Sequence, residues 1–147
     1  MGERVKGYVQ VYTGDGKGKS SAALGVVVRA CGAGLRVYMG QFIKRGLFSE
    51  IRTLRDRFPD VRVEQYGRGR FIRSRPDARD VQAARGGYKK LRNAMACGDY
   101  DIVIADEIGP AVTAGRSNEF PGGFIPARSR RARECARRPG PARTRAD

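Results

Sequence analysis

The run Thr13-Gly14-Asp15-Gly16-Lys17-Gly18-Lys19-Ser20-Ser21 has the residue types and spacing of a phosphate site. Closely spaced glycines let backbone N–H groups turn inward around an anion. A helix starting at Lys19 would aim its positive end at the same point. The Lys19 ammonium can reach phosphate oxygens, and the Ser20 hydroxyl can ligate Mg²⁺. Asp15, Lys17 and Ser21 belong to the same candidate nucleotide loop. One position departs from the usual pattern: five residues before Gly18 stands Thr13, not glycine.

Asp106-Glu107 follows the apolar run Asp101–Ala105. In parallel sheets ligands bind beyond the carboxyl ends of the strands, where a carboxylate can hold Mg²⁺ directly or through water. Gln41-Phe42-Ile43-Lys44 ends another apolar run, which puts Lys44 on the same edge. There it either meets an anionic group or is an ordinary surface lysine after a strand. Gly67-Arg68-Gly69-Arg70-Phe71-Ile72-Arg73 reads equally as an RNA-binding patch with an interleaved aromatic or as a loop over a ligand. The 147 residues contain no histidine, which excludes Ser–His and Cys–His catalysis. The cysteines, Cys31, Cys97 and Cys135, stand far apart, which argues against structural zinc and a disulfide framework.

These groups need elements to hold them. Val5–Tyr12 alternates, with Val5, Gly7, Val9 and Val11 on one face, and is expected to be a strand leading into the glycine loop. Lys19–Ala33 predicts a helix apolar nearly all round, hence buried against a sheet, with Gly32 and Gly34 to end it. Leu35–Ile43 predicts a second strand, and Ser49–Phe58 a short helix broken by Pro59-Asp60. Val61–Tyr66 predicts a third strand. Asp77–Gly98 is the clearest helix, because Val81, Ala84, Tyr88, Leu91 and Met95 form one stripe. Ser74 or Asp77 can cap its start, and Gly86-Gly87 weakens its middle. Asp101–Ala105 is the fourth strand. Strands alternating with helices imply a parallel sheet.

The chain carries 30 basic and 15 acidic residues, a net +15. Residues 1–115 hold 21 Lys+Arg and 12 acids (+9), and residues 116–147 hold 9 Arg, no Lys and 3 acids (+6). The second stretch has no apolar periodicity beyond Phe120–Ile125 and is expected to be a disordered Arg/Pro-rich tail after a domain at 1–115. Its charge is therefore weighed apart from the domain's. A basic nucleic-acid-binding module using Arg68, Arg70, Arg73 and the tail is one reading of that charge. No apolar run approaches the roughly 20 residues of a membrane span, and Met1–Gly7 is polar, so a cytoplasmic protein is expected.

Together the segments resemble the P-loop family of ATP:corrinoid adenosyltransferases of the cobalamin pathway. Thr13–Ala23 fits that family's loop throughout, including the unusual Thr13. Gln41–Lys44 fits its Gln-Phe-Ile-Lys strand end, and Asp106-Glu107 fits its acidic pair after an apolar strand. The resemblance covers about residues 5–115. It implies an α/β, P-loop NTPase-like (RecA-like) fold, a parallel sheet with helices on both faces. It implies transfer of the 5′-deoxyadenosyl group of ATP to the cobalt of cob(I)alamin or cobinamide, with release of triphosphate, in adenosylcobalamin biosynthesis or salvage.

By that resemblance Lys19 and Glu107 take part in catalysis. Gly14, Asp15, Gly16, Lys17, Gly18, Lys19, Ser20 and Ser21 bind the nucleotide. Ser20, Asp106 and Glu107 hold Mg²⁺, with Mn²⁺ as a substitute. Gln41, Phe42 and Lys44 line the nucleotide–corrinoid junction, and Phe71 supplies an apolar ring toward the corrin. A homodimer and a flavoprotein reductant are the implied partners. A different P-loop kinase or NTPase is the alternative.

After Gly115 the family's further helix, strand ending in Thr-Gly-Arg, and closing segment do not appear. Arg without Lys, mixed with Pro, Gly and Ala, is what GC-rich coding sequence yields in a wrong frame. The expectation is a frameshift near residues 115–120 that leaves the C-terminal sheet elements missing and the fragment inactive or unstable.

Overall fold

The computed structural model describes residues 7–69, 77–109 and 111. The chain order is α1 (Lys19–Gly32), β1 (Val37–Gln41), α2 (Ser49–Arg57), β2 (Val61–Gln65), α3 (Ala78–Cys97) and β3 (Ile102–Asp106). The strands form a parallel sheet in the order β2-β1-β3. The register pairs Val37 with both Val61 and Ile102, and Gln41 with both Gln65 and Asp106. All three strands therefore end in one row, at the edge where ligands bind in sheets of this kind.

Alternation along the strands sorts two apolar layers. Val37 and Met39 of β1 and Val61 and Val63 of β2 face α1 and α2, where Val27, Ala30, Ile51 and Leu54 complete one cluster. Tyr38, Phe42, Tyr66, Val103 and Ala105 face α3, where Ala84, Leu91 and Ala94 complete the other. The sheet thus carries helices on both faces, as an α/β chain needs in order to bury a parallel sheet. None of the helices among the described residues is long and apolar enough to cross a membrane.

Helix α3 begins at Asp77, whose side chain accepts from the Asp80 N–H while the Asp80 side chain accepts from the Asp77 N–H. This capping box closes the helix start from within the chain. Gly98 ends the helix in the left-handed conformation. The buried positions are Ala84, Gly87, Leu91 and Ala94. Gly87 has a packing reason to be there: a Cβ at that position would lie 2.3 Å from the Tyr66 ring. The Gly86-Gly87 pair, a weak point by propensity, is where the helix lets an aromatic ring approach its backbone.

Two expectations fail. Val5–Tyr12 is not a strand over its described residues. The described residues 7–12 join no strand ladder, and Tyr8 and Val11 are 81% and 73% exposed. Alternation is a local signal, whereas a strand exists only when a neighbour takes its N–H and C=O groups. Helix α1, expected to be buried nearly all round, buries Val27 and Ala30 and leaves Val28 half-exposed. Among the described residues, only the face turned to the sheet has anything to pack against. The 116–147 tail, Phe71 and the rest of the glycine–arginine loop beyond Gly69 lie outside the described residues.

Candidate functional site

The glycine loop runs into α1 without any side chain capping the helix. Gly18 occupies the cap position at φ 109°, and the first turn holds no acidic residue. The start of α1 is therefore an open ring of N–H donors with a partial positive charge, which an anion would satisfy. Gly14 also has a positive φ, 135°. The Lys19 ammonium folds back over the loop and donates to the carbonyl oxygens of Gly14 (2.5 Å) and Gly16 (2.6 Å). Asp15, Lys17 and Ser21 are exposed along the same stretch. Phosphate oxygens would take over the role these carbonyls play for Lys19.

The sheet edge supplies the opposite charge. Asp106, the last residue of β3, is 6% exposed. The Ser20 hydroxyl, 86 residues away in sequence, reaches both of its carboxylate oxygens at 3.0 and 3.1 Å. Lys44 donates to the Ser20 oxygen at 3.1 Å and pairs with Glu107 at 3.3 Å. Glu107 is the one non-glycine residue at positive φ (59°) among those described. A left-handed glutamate costs on the order of 1 kcal/mol. Its backbone turn brings the carboxylate round to Lys44 instead of letting β3 continue.

Ser20, Asp106 and Glu107 thus bring a hydroxyl and two carboxylates to one edge, with the Lys44 ammonium bonded to Ser20 and paired with Glu107. An all-oxygen donor set of this charge fits a hard divalent cation such as Mg²⁺. A positive charge already sits among these groups, on Lys44.

Gln41 and Phe42 turn inward. Gln41 is 2% exposed and donates from Nε2 to Asp106 at 3.1 Å. Phe42 is 3% exposed and meets the Tyr66 ring edge-on, with centroids 5.2 Å apart. The resemblance assigned both to the junction between nucleotide and corrinoid; here their side chains belong to the interior behind the site. Lys44 is the member of that segment which reaches the loop.

The family described as ATP:corrinoid adenosyltransferase BtuR/CobO/CobP matches residues 5–119. The chain belongs to this family. Among relatives, the chain is 34% identical to a corrinoid adenosyltransferase of Pseudomonas aeruginosa over 111 residues, covering 75% of this chain and 55% of that one. It is 31% identical to the corrinoid adenosyltransferase of Escherichia coli K12 over 103 residues, covering 70% and 52%. A corrinoid adenosyltransferase from Sinorhizobium is 33% identical over 109 residues, covering 73% and 51%. The chain spans about half the length of these relatives.

Beside the site, Arg68 is committed within the chain. It pairs with Asp77 at 2.9 Å and Asp80 at 3.3 Å, the two residues of the α3 capping box. This takes one arginine away from the RNA-patch reading and ties the Gly67–Gly69 turn to the start of α3. A Cβ at Gly67 would lie 1.9 Å from the Ile43 carbonyl oxygen, so that turn presses on the Ile43-Lys44 backbone.

Sequence reasoning did not find Gln65. Its Nε2 donates to Gln41 Oε1 at 2.9 Å and to the Gly46 carbonyl at 3.1 Å, and its Oε1 accepts from the Gly46 N–H at 3.2 Å. The only advance signal was a polar residue at the end of a strand.

Proposed function

We propose that this chain transfers the 5′-deoxyadenosyl group of ATP to the cobalt of a reduced corrinoid and releases triphosphate. The observation that carries this reading is the contact of Ser20 with Asp106. It puts the open helix start and Lys19 on one side of a point, and Asp106, Glu107 and Lys44 on the other. The cobalt–carbon bond forms as the C5′–oxygen bond breaks, and the electron pair leaves on the triphosphate. Reduced cobalt is itself the nucleophile, so the absence of a histidine base costs nothing.

The chain's own part is to hold the triphosphate and stabilise the charge growing on it. The loop amides of Gly14–Gly18 and the start of α1 take phosphate oxygens. Lys19 leaves the Gly14 and Gly16 carbonyls to meet them. Ser20, Asp106 and Glu107 would hold Mg²⁺, which when bound supplies further positive charge to the leaving group. Lys44 then has anionic phosphate within reach instead of Glu107.

The test is the full chain with ATP, Mg²⁺ and chemically reduced cobalamin. Absorbance should report a cobalt–carbon bond, with triphosphate released in equal amount, and Lys19→Ala should lower the rate by at least about a hundredfold. Release of ADP or orthophosphate without a cobalt–carbon bond would replace this reading with a kinase or NTPase.

A further inference from the structure

Gln65, Gln41 and Asp106 occupy one row across β2, β1 and β3, each opposite the next in the ladder. The row is joined by side chains as well as by backbone. An ionised Asp106 only accepts, so Gln41 must turn its NH₂ toward it. The Gln41 carbonyl then faces Gln65, which must present its own NH₂. The second Gln65 N–H goes to the Gly46 carbonyl, and the Gln65 carbonyl takes the Gly46 N–H. Every orientation in this chain of amides follows from the one before it. None of the buried side-chain polar atoms among the described residues lacks a partner.

We infer that Gln65 is a positioning residue for the triphosphate site. It fixes the Gln41 amide that holds Asp106, and it pins the Gly46 backbone, from which the exposed Leu47 and Phe48 project. Gln65 touches no phosphate. It acts at one remove, by denying Gln41 the flipped orientation that would set a carbonyl oxygen against the Asp106 carboxylate. Gln41 donates to one oxygen of Asp106, and Ser20 at the start of α1 reaches both oxygens of the same carboxylate. The inference rests on the proposed role of Asp106 and Ser20 in holding Mg²⁺ and triphosphate.

The test is calorimetric binding of inorganic triphosphate to the full chain, with and without Mg²⁺. Gln65→Glu sets an acceptor-only group against the Gln41 and Gly46 carbonyls. The gain in affinity that Mg²⁺ brings should fall about tenfold, the worth of one hydrogen bond to a charged group. Binding without Mg²⁺ should stay within about twofold, because the loop and Lys19 are untouched. Gln65→Met keeps the length without the charge and should cause a loss of about threefold. In a Gln41→Met background, Gln65→Met should add nothing to that loss.

An unchanged Mg²⁺ dependence in both variants would overturn the proposal. So would an equal loss with and without Mg²⁺, or a Gln65→Met effect that persists in full without Gln41. An unsubstituted chain whose triphosphate binding ignores Mg²⁺ would instead overturn the reading of the site itself, and this proposal with it.

Discussion

Around Gly14, Gly16 and Gly18 an added Cβ would meet no atom within 4 Å, whereas at Gly67 it would lie 1.9 Å from the Ile43 carbonyl oxygen. The two halves of the site use glycine for opposite reasons. The phosphate loop stands in open space and needs glycine at Gly14 and Gly18 for their positive φ. The sheet-edge half needs it for room, at Gly67 against the Ile43-Lys44 backbone after β1 and at Gly87 against Tyr66. One half is shaped by backbone conformation and stands open. The other is shaped by packing and is already filled. Their helix starts differ in the same way: α3 is closed by Asp77 and Asp80, and α1 is left bare.

The contrast can be broken most forcefully at Gly67. Gly67→Ala drives a methyl into backbone that cannot swing aside, so it should cost about 3 kcal/mol of stability. The loss would appear as a lower denaturant midpoint. It should also move Lys44, whose backbone the turn presses on, and so weaken triphosphate binding. A midpoint equal to that of the unsubstituted chain would mean the turn and the strand end are not in contact.

Gly14→Ala tests the open half. Its φ of 135° is strained for alanine, but the residue is exposed and nothing surrounds it. The loop can relax without disturbing the core, so the change should fall on binding. Triphosphate affinity should drop about tenfold, or about 1.4 kcal/mol, with the denaturant midpoint shifted by less than about 0.5 kcal/mol. A large loss of stability with little loss of binding would reverse the roles assigned to the two halves.

The same division explains how much could be read in advance. The three helices and three of the four strands were legible because their periodicities are local. The Gly18-Lys19-Ser20 run and the Asp106-Glu107 pair stood out because each chemistry needs neighbours in sequence, and the fold brings Ser20 against Asp106. Gln65 did not, because its meaning comes from register: a glutamine at a strand end becomes a link only when β1 places Gln41 beside it. Phe42 and Gln41 looked like ligand contacts for the same reason, and their inward turn is set by α3 and Asp106. Val5–Tyr12 had the right alternation, but its described residues 7–12 join no strand ladder. Among the described residues β3 is paired with β1 on one side only, and residues 7–12 do not take its other edge. Gly87 looked like a flaw until Tyr66 was placed beside it.

The smallest effect separates fit from charge within the packed half. Glu64 lies at its rim, bonded by Lys90 at 3.0 Å and by Arg62 at 2.9 Å. Burial pushes the Glu64 carboxyl up, but the hydrogen bonds and charges of Lys90 and Arg62 outweigh burial and hold it below the ordinary 4.5. A carboxyl with a depressed folded-state pKa stabilises the fold above its unfolded value, and that contribution is lost as pH falls through the folded one. Both cations are well exposed, so the whole contribution should be about 1 kcal/mol or less. Glu64→Gln should therefore be slightly less stable at neutral pH, and the gap should close as pH drops below about 4. Urea midpoints of the two proteins between neutral and acid pH read this directly. Equal midpoints at neutral pH would show that Glu64 contributes shape, which glutamine keeps, and not charge, and that the packed half of the site is held by fit alone.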